Sequence, residues 1–373
     1  MVVEDRNNIF ITGATGFLGI HLIKEFLQHM DNRIYVLVRG IDSSHIESRK
    51  NELISHLLRM GVDGKISSRI TAVSGDITCE NLGLRDVDLD YMSSKIDTVY
   101  HCAAVCNFGC DIDEIRNVNV KGTERLLKLT LNWHSQGRLK DVNHISTVYV
   151  AGNHAGRFHE DEISVSQTFN NTYEQSKFEA ELAVDAYRKK GLPVTIYRPS
   201  IIIDTIPPTT HIIPGLVRLL AMFILELFPE IPADEETELN LIPVDDVAKI
   251  IHIISNSGRS ILNQNYHVAH TSAIKLGTLL NESSRFFGFK KPKCIPVKEF
   301  RIDSIGTSRQ KIIGHFTPYL NQRLSFDMRN TLSILEKFGY NIPILSGERL
   351  MQAFEYYRSK GISPSPSTAK AFI

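Results

Sequence analysis

The chain has 373 residues, and its 42 Lys and Arg are balanced by 42 Asp and Glu, so the formal net charge is zero. A neutral chain lacks the basic surplus that captures nucleic acid or anionic lipid. The length exceeds one minimal core and fits a large α/β domain carrying a second, smaller lobe.

In chain order, residues 9–12 read as a short buried strand, followed by Gly13, Gly16 and Gly19 at the opening of an amphipathic helix over 20–28. A Gly-rich turn between strand and helix is the context for dinucleotide binding. Gly13 permits the tight turn, Gly16 lets the backbone approach a pyrophosphate, and Gly19 lets the helix pack closely on the sheet. The first helical N–H groups then face the phosphate charge. A second strand, 34–38, ends at Arg39, where an NAD-specific protein usually places an acid for the ribose 2′-hydroxyl. A guanidinium there pairs with a 2′-phosphate, so the expected cofactor is NADPH. A helix over 46–60 and a strand over 70–73 lead to Asp76, placed to accept from an adenine amine or to serve as an ordinary turn residue.

A strand over 98–101 runs into Cys102, Cys106 and Cys110, with no His–Cys cluster to complete a zinc pattern, so no metal site is expected. The odd total of five cysteines, and an N-terminus without a basic segment leading into an apolar one, point to a reduced, cytoplasmic protein. The helical pattern over 115–131 contains Asn119, a polar side chain that needs a partner, either supporting a lysine through water or bracing sheet backbone. The fifth strand, 142–146, ends in Ser146-Thr147, and alternation sends only one hydroxyl into the pocket. Register favours Thr147, with Ser146 structural. Tyr173 and Lys177 follow at i and i+4 on a helix over 173–189, and so project from one face. A free phenol titrates near about 10, and the spacing predicts that the ammonium lowers it.

After a sixth strand, 194–197, the strand–helix rhythm breaks at Arg198-Pro199-Ser200. The apolar run 212–228 is interrupted by Pro214, Arg218 and Glu226 and is too short to span a bilayer. It reads as a buried or lid helix, and as a candidate lining for an acyl channel through Leu220 and Phe223. The expected division is a doubly wound parallel α/β sheet over 1–200 with 241–265 returning to it. Residues 201–240 and 266–362 form the second lobe, including helices over 276–287 and 331–338, and 363–373 form a mobile tail.

Together these residues resemble the extended short-chain dehydrogenase/reductase superfamily: Thr12-Gly-Ala-Thr-Gly-Phe-Leu-Gly19, Asn119-Val-Lys-Gly-Thr123, and a hydroxyl residue followed by Tyr173-x-x-x-Lys177. The similarity covers about residues 9–260. Several segments are similar to its thioester reductase and fatty acyl-CoA reductase branch, among them Val36-Leu-Val-Arg39, Asn81-Leu-Gly-Leu84, Tyr100-His-Cys-Ala-Ala-Val-Cys-Asn-Phe108, His144-Ile-Ser-Thr147 and Ile242-Pro-Val-Asp-Asp-Val247. Thr317-Pro-Tyr-Leu320 and Phe326-Asp327 echo it more weakly.

The resemblance implies NADPH-dependent reduction of an acyl thioester, on coenzyme A or a phosphopantetheinyl carrier protein, to an aldehyde and on to an alcohol if a second hydride follows. Thr147, Tyr173, Lys177 and Asn119 would carry the chemistry. Expected cofactor contacts are Gly13, Thr15, Gly16, Phe17, Leu18 and Gly19, then Arg39, Asp76, Ile77, Ala103, Ala104, Lys177, Pro199 and Ser200. A homodimer through a helix pair is common in the superfamily. The same residues also suit a reductase, epimerase or dehydratase of a ketone or nucleotide sugar, or a redox sensor that binds the dinucleotide without turnover.

Overall fold

Seven runs rich in β-branched and aromatic residues pair into one parallel sheet: β1 (Asn8–Thr12), β2 (Arg33–Val38), β3 (Ile70–Ser74), β4 (Thr98–His101), β5 (Asp141–Ile145), β6 (Val194–Pro199) and β7 (Asn265–Val268). The computed structural model describes residues 8–204, 219, 222–224, 226–258, 261–345, 350 and 355. The strand order is β7-β6-β5-β4-β1-β2-β3, so the winding direction reverses between β1 and β4. In such sheets the crevice at the reversal, beyond the strands' C-terminal ends, receives the ligand. Every residue of β4, β5 and β6 is buried, as expected where helices cover both faces.

Among the described residues the α-helices are α1 (Phe17–Phe26), α2 (Ser43–Arg59), α3 (Asp86–Lys95), α4 (Ile112–Asn119), α5 (Lys121–Ser135), α6 (Thr172–Arg188), α7 (Val244–Ser255), α8 (Leu276–Phe287), α9 (Thr307–Phe316) and α10 (Arg329–Lys337). The sequence pattern places one helix over 115–131. Instead the chain breaks at Val120, where the Thr123 hydroxyl donates to the Asn119 carbonyl at 2.6 Å. Helix α3 shows no apolar periodicity because only Met92 on it is buried. Its Asp86 and Asp88 nevertheless complement the positive helix N-terminus.

The return to the sheet extends past residue 265. Tyr266 and Val268 lie in β7 and pair with Tyr197 and Pro199, and α10 packs on α7 and β7 through Ile334 and Leu335. The second-lobe assignment of 266–268 and 329–337 is therefore corrected: burying these apolar side chains against the sheet stabilises by roughly 1.5–3 kcal/mol per large residue. A separate apolar core joins Leu219, Met222, Phe223, Ile224 and Phe228 to Ile231, Leu276, Leu280, Phe289 and Leu320. Phe223 is thus a core residue of the second lobe, while Leu220 and most of 205–221 lie outside the described residues, as does the 363–373 tail.

Candidate active site

The Gly-rich turn closes on itself through Gly16 N–H donating to the Gly13 carbonyl at 2.9 Å. Gly13 has φ +72°, and a Cβ there would come within 2.6 Å of the Ala103 nitrogen; one on Gly19 would lie 2.2 Å from the Gly13 oxygen. No side chain fits at either point. Gly16 is the N-cap of α1 with extended backbone, its first turn holds no acidic residue, and no side chain caps it. Those uncapped N–H groups suit an anion. Around the turn, Thr15, Phe17 and Leu18 are half-buried. The turn thus fits the pyrophosphate of a dinucleotide by its own backbone geometry.

Arg39 is exposed at the end of β2, and its carbonyl accepts from Arg49 Nη1 at 2.8 Å. Arg49 Nη2 also donates to Thr15 Oγ1 at 3.1 Å. Sequence reading missed Arg49, because its place nearly two turns into α2 becomes meaningful only when α2 folds over the Gly-rich turn. The Arg49 guanidinium therefore bridges the end of β2 and that turn. Asp76 turns Oδ1 back onto the Thr78 N–H and hydroxyl, both at 2.8 Å, beside buried Ile77.

The loop after β4 connects this cradle to the second set of residues. Ala103 N–H donates to Thr12 Oγ1 at 3.3 Å, and Ala104 is half-buried beside it. The loop is held further along by Asn119, whose Oδ1 accepts from Val105 N–H at 2.8 Å and whose Nδ2 donates to Val105 O at 3.0 Å and Ser176 Oγ at 2.9 Å. These partners occupy both ends of the Asn119 amide. It braces loop backbone after β4, close to one of the two roles the sequence leaves open for it.

Thr147, two residues past the end of β5, is buried; its hydroxyl donates to Pro199 O at 3.4 Å, accepts from Tyr149 N–H at 3.3 Å, and lies near enough to the Tyr173 phenol to lower its proton affinity. The Ser146 hydroxyl is buried without a partner among the described residues. Lys177 is buried and donates to the Ile145 carbonyl at 2.7 Å. The i, i+4 spacing predicts that Lys177 lowers the phenol, but burial dominates and raises Tyr173 well above its ordinary value, helped by Cys106 and Glu174 and opposed by Thr147. Burial likewise lowers Lys177, opposed by the fields of Cys106, Glu181 and Cys102. Ser200 commits its hydroxyl to Asn240 Oδ1 at 2.7 Å.

Behind the site His101 and His144 face each other across β4 and β5, with ring centres 5.4 Å apart. His101 bridges Thr12 and Thr123, at 2.7 and 3.0 Å, whereas neither His144 nitrogen has a partner among the described residues. Burial drops His101 to about 3 and His144 well below the usual histidine range, with Lys177 adding to both. Burial also pushes the Cys102 thiol up to about 12. Among the described residues no three His, Cys, Asp or Glu side chains cluster as a metal site, and no helix is long and apolar enough to cross a membrane.

A glycine cradle at the sheet's reversal point, with a threonine, tyrosine and lysine at the end of β5, matches what sequence comparison finds. The profile of the male sterility protein family, an NAD-binding domain, matches residues 11–251. The chain belongs to that family. It falls within the thioester reductase branch of the extended short-chain dehydrogenase/reductases. A linear gramicidin synthase polypeptide of Brevibacillus parabrevis is 30% identical over 277 residues, 72% of this chain and 5% of that protein. Fatty acyl-CoA reductase 1 of Arabidopsis thaliana is 26% identical over 358 residues, 77% of this chain and 71% of that one. Most other curated relatives also extend far beyond the matched region, which is 28% of their length or less. The crystal structure of the terminal R domain from the myxalamid PKS-NRPS biosynthetic pathway superposes with a TM-score of 0.81 at 26% identity, covering 98% of this chain and 94% of that one.

Proposed function

We propose that this chain is an NADPH-dependent reductase of an acyl thioester, presented on coenzyme A or on the phosphopantetheine arm of a carrier protein, with the aldehyde as two-electron product. One observation carries the reading: the Thr147 hydroxyl lies near enough to the Tyr173 phenol beyond the end of β5 to act on its proton affinity, beside a loop whose other end packs against the Gly13 turn. Similarity to the gramicidin synthase and to the terminal R domain supports a carrier-borne substrate, and similarity to the plant fatty acyl-CoA reductase supports a coenzyme A ester.

When bound, the nicotinamide supplies the hydride. The Gly-rich turn and the α1 N-terminus hold the pyrophosphate, and Arg39 and Arg49 take the 2′-phosphate that distinguishes NADPH from NADH. Lys177 anchors the last carbonyl of β5 and would hold the nicotinamide ribose. Thr147 and Tyr173 donate to the thioester oxygen, and their stabilisation grows as that oxygen becomes negative. Tyr173 is suited to be the acid: burial keeps its proton on at neutral pH, ready for the developing alkoxide. The proton passes from the phenol to the oxygen and gives a hemithioacetal. Its C–S bond then breaks, the hydroxyl proton leaves with the sulfur as free thiol, the carbonyl re-forms as aldehyde, and solvent reprotonates the phenolate.

The test is to incubate the purified protein with NADPH or NADH and a panel of acyl-CoA esters, carrier-bound thioesters, aldehydes, ketones and nucleotide sugars, and to identify products. Thioester-dependent NADPH oxidation with stoichiometric thiol and aldehyde supports the reading. Turnover confined to ketones or nucleotide sugars refutes it. Alcohol in place of aldehyde establishes a second hydride transfer.

A further inference from the structure

From contacts that cross between the lobes, we infer that Tyr319 is a positioning residue for Tyr173. Tyr319 lies just past α9, 145 residues from Glu174, and its hydroxyl donates to the Glu174 carboxylate. The same hydroxyl accepts from Asn171 Nδ2 at 2.7 Å. Glu174 is fully buried and directly follows Tyr173, and Asn171 is the N-cap of α6, its Oδ1 accepting from Glu174 N–H at 3.0 Å. One phenol from the second lobe is therefore clamped onto the first turn of the helix that carries the proton donor.

The ring makes a second connection. Tyr319 stacks on Phe108 with centres 5.5 Å apart and planes 22° apart, and Phe108 lies 5.9 Å from the Tyr173 ring. Tyr149 meets the Tyr319 ring edge-on at 5.1 Å. Tyr173 thus has a neighbour in contact with Tyr319 on both its backbone side and its ring side. Among the described residues, the buried Glu174 carboxylate otherwise accepts only from the Asn170 N–H and side chain, at 2.9 and 3.3 Å. Deleting the Tyr319 hydroxyl leaves a buried charge short of a donor and lets the start of α6 shift. Small displacements of a proton donor are expensive, since a misplacement of about 1 Å costs on the order of 10²-fold in rate. Seating of the second lobe and alignment of Tyr173 become one event.

This inference rests on Tyr173 as the proton donor, and a double-mutant cycle on the full chain separates the two. Tyr319→Phe keeps the ring and should lower kcat by about 10-fold and Tm by several degrees, with KM for the thioester and NADPH affinity near the parent's. Combining Tyr319→Phe with Tyr173→Phe should lower kcat no further than Tyr173→Phe alone, because the hydroxyl acts through that phenol. Multiplying losses in the double variant, or a parental kcat in Tyr319→Phe beside a disabled Tyr173→Phe, would overturn the inference alone. Parental turnover in Tyr173→Phe would overturn both the inference and the reading beneath it.

Discussion

Lys177 donates its ammonium to the Ile145 carbonyl at 2.7 Å, two residues before Thr147, and so ties α6 to the strand end that presents the Thr147 hydroxyl. Burial pulls this lysine below its usual value and pushes Tyr173 above its own. The two shifts assign the alkaline limb of the pH–rate profile. As pH rises Tyr173 keeps its proton, while Lys177 loses its charge below the ordinary lysine range near about 10.4. A kcat/KM profile should fall on the alkaline side through the lysine, and Lys177→Met should lower the plateau and remove that limb. A limb that persists in Lys177→Met would reassign it.

Gly13 tests the cradle. Its φ of +72° and the 2.6 Å approach of a Cβ to the Ala103 nitrogen leave Gly13→Ala no relaxed conformation without moving β4's loop. Nucleotide affinity should drop by at least about 10-fold while the second lobe's core stays intact, as read by nucleotide titration beside a thermal melt. Parental affinity would show that the pyrophosphate does not meet this turn.

Arg39 and Arg49 should set the choice between nucleotides. Arg49 bridges the Gly-rich turn and the end of β2, so Arg49→Ala should weaken NADPH by roughly 10-fold or more and leave NADH within about 2-fold. Arg39→Ala should act in the same direction. Equal losses for both nucleotides would instead mean that Arg49 only supports the loop.

The buried imidazoles predict acid lability. His101 and His267 sit at about 3 and His144 is held well below the usual histidine range, each mainly by burial, so all three are neutral in the fold. Unfolded, they regain values near about 6.5 and bind protons, so their contribution is present above that pH and is lost as pH falls toward the folded values. Tm should fall between pH 7 and pH 5. His144→Leu removes two unpartnered buried nitrogens, so it should raise Tm at neutral pH by relieving about 1–3 kcal/mol and flatten the acid slope. A Tm that is level over this range in the parent would contradict the assignment.

Much of this is legible in the sequence because it is local. The strands announce themselves as short apolar runs, and the glycine spacing follows from backbone geometry. What escaped is set by tertiary contact. Arg49 reaches the Gly-rich turn from the next helix, and Tyr319 reaches Glu174 across 145 residues. Spacing put Lys177 beside Tyr173 but could not reveal that the Ile145 carbonyl would take the ammonium or that burial would govern the phenol. The apolar composition around 212–228 suggested a channel, yet Leu219, Met222, Phe223 and Ile224 are spent on the second lobe's own core. A polar substitution at Phe223 is therefore a stability lesion before it is a specificity change.

The most direct measurement follows the hydride and the proton donor together. NADPH deuterated at the transferable C4 position is supplied with an acyl thioester to the parent protein and to Tyr173→Phe, and the released aldehyde is examined by mass spectrometry alongside nucleotide binding. The parent should give aldehyde carrying deuterium at C1 with one thiol per nucleotide oxidised, and Tyr173→Phe should lose on the order of 10²-fold or more of that rate while still binding NADPH. Unlabelled aldehyde from the parent, or an undiminished rate from Tyr173→Phe, would contradict thioester reduction with Tyr173 as its acid.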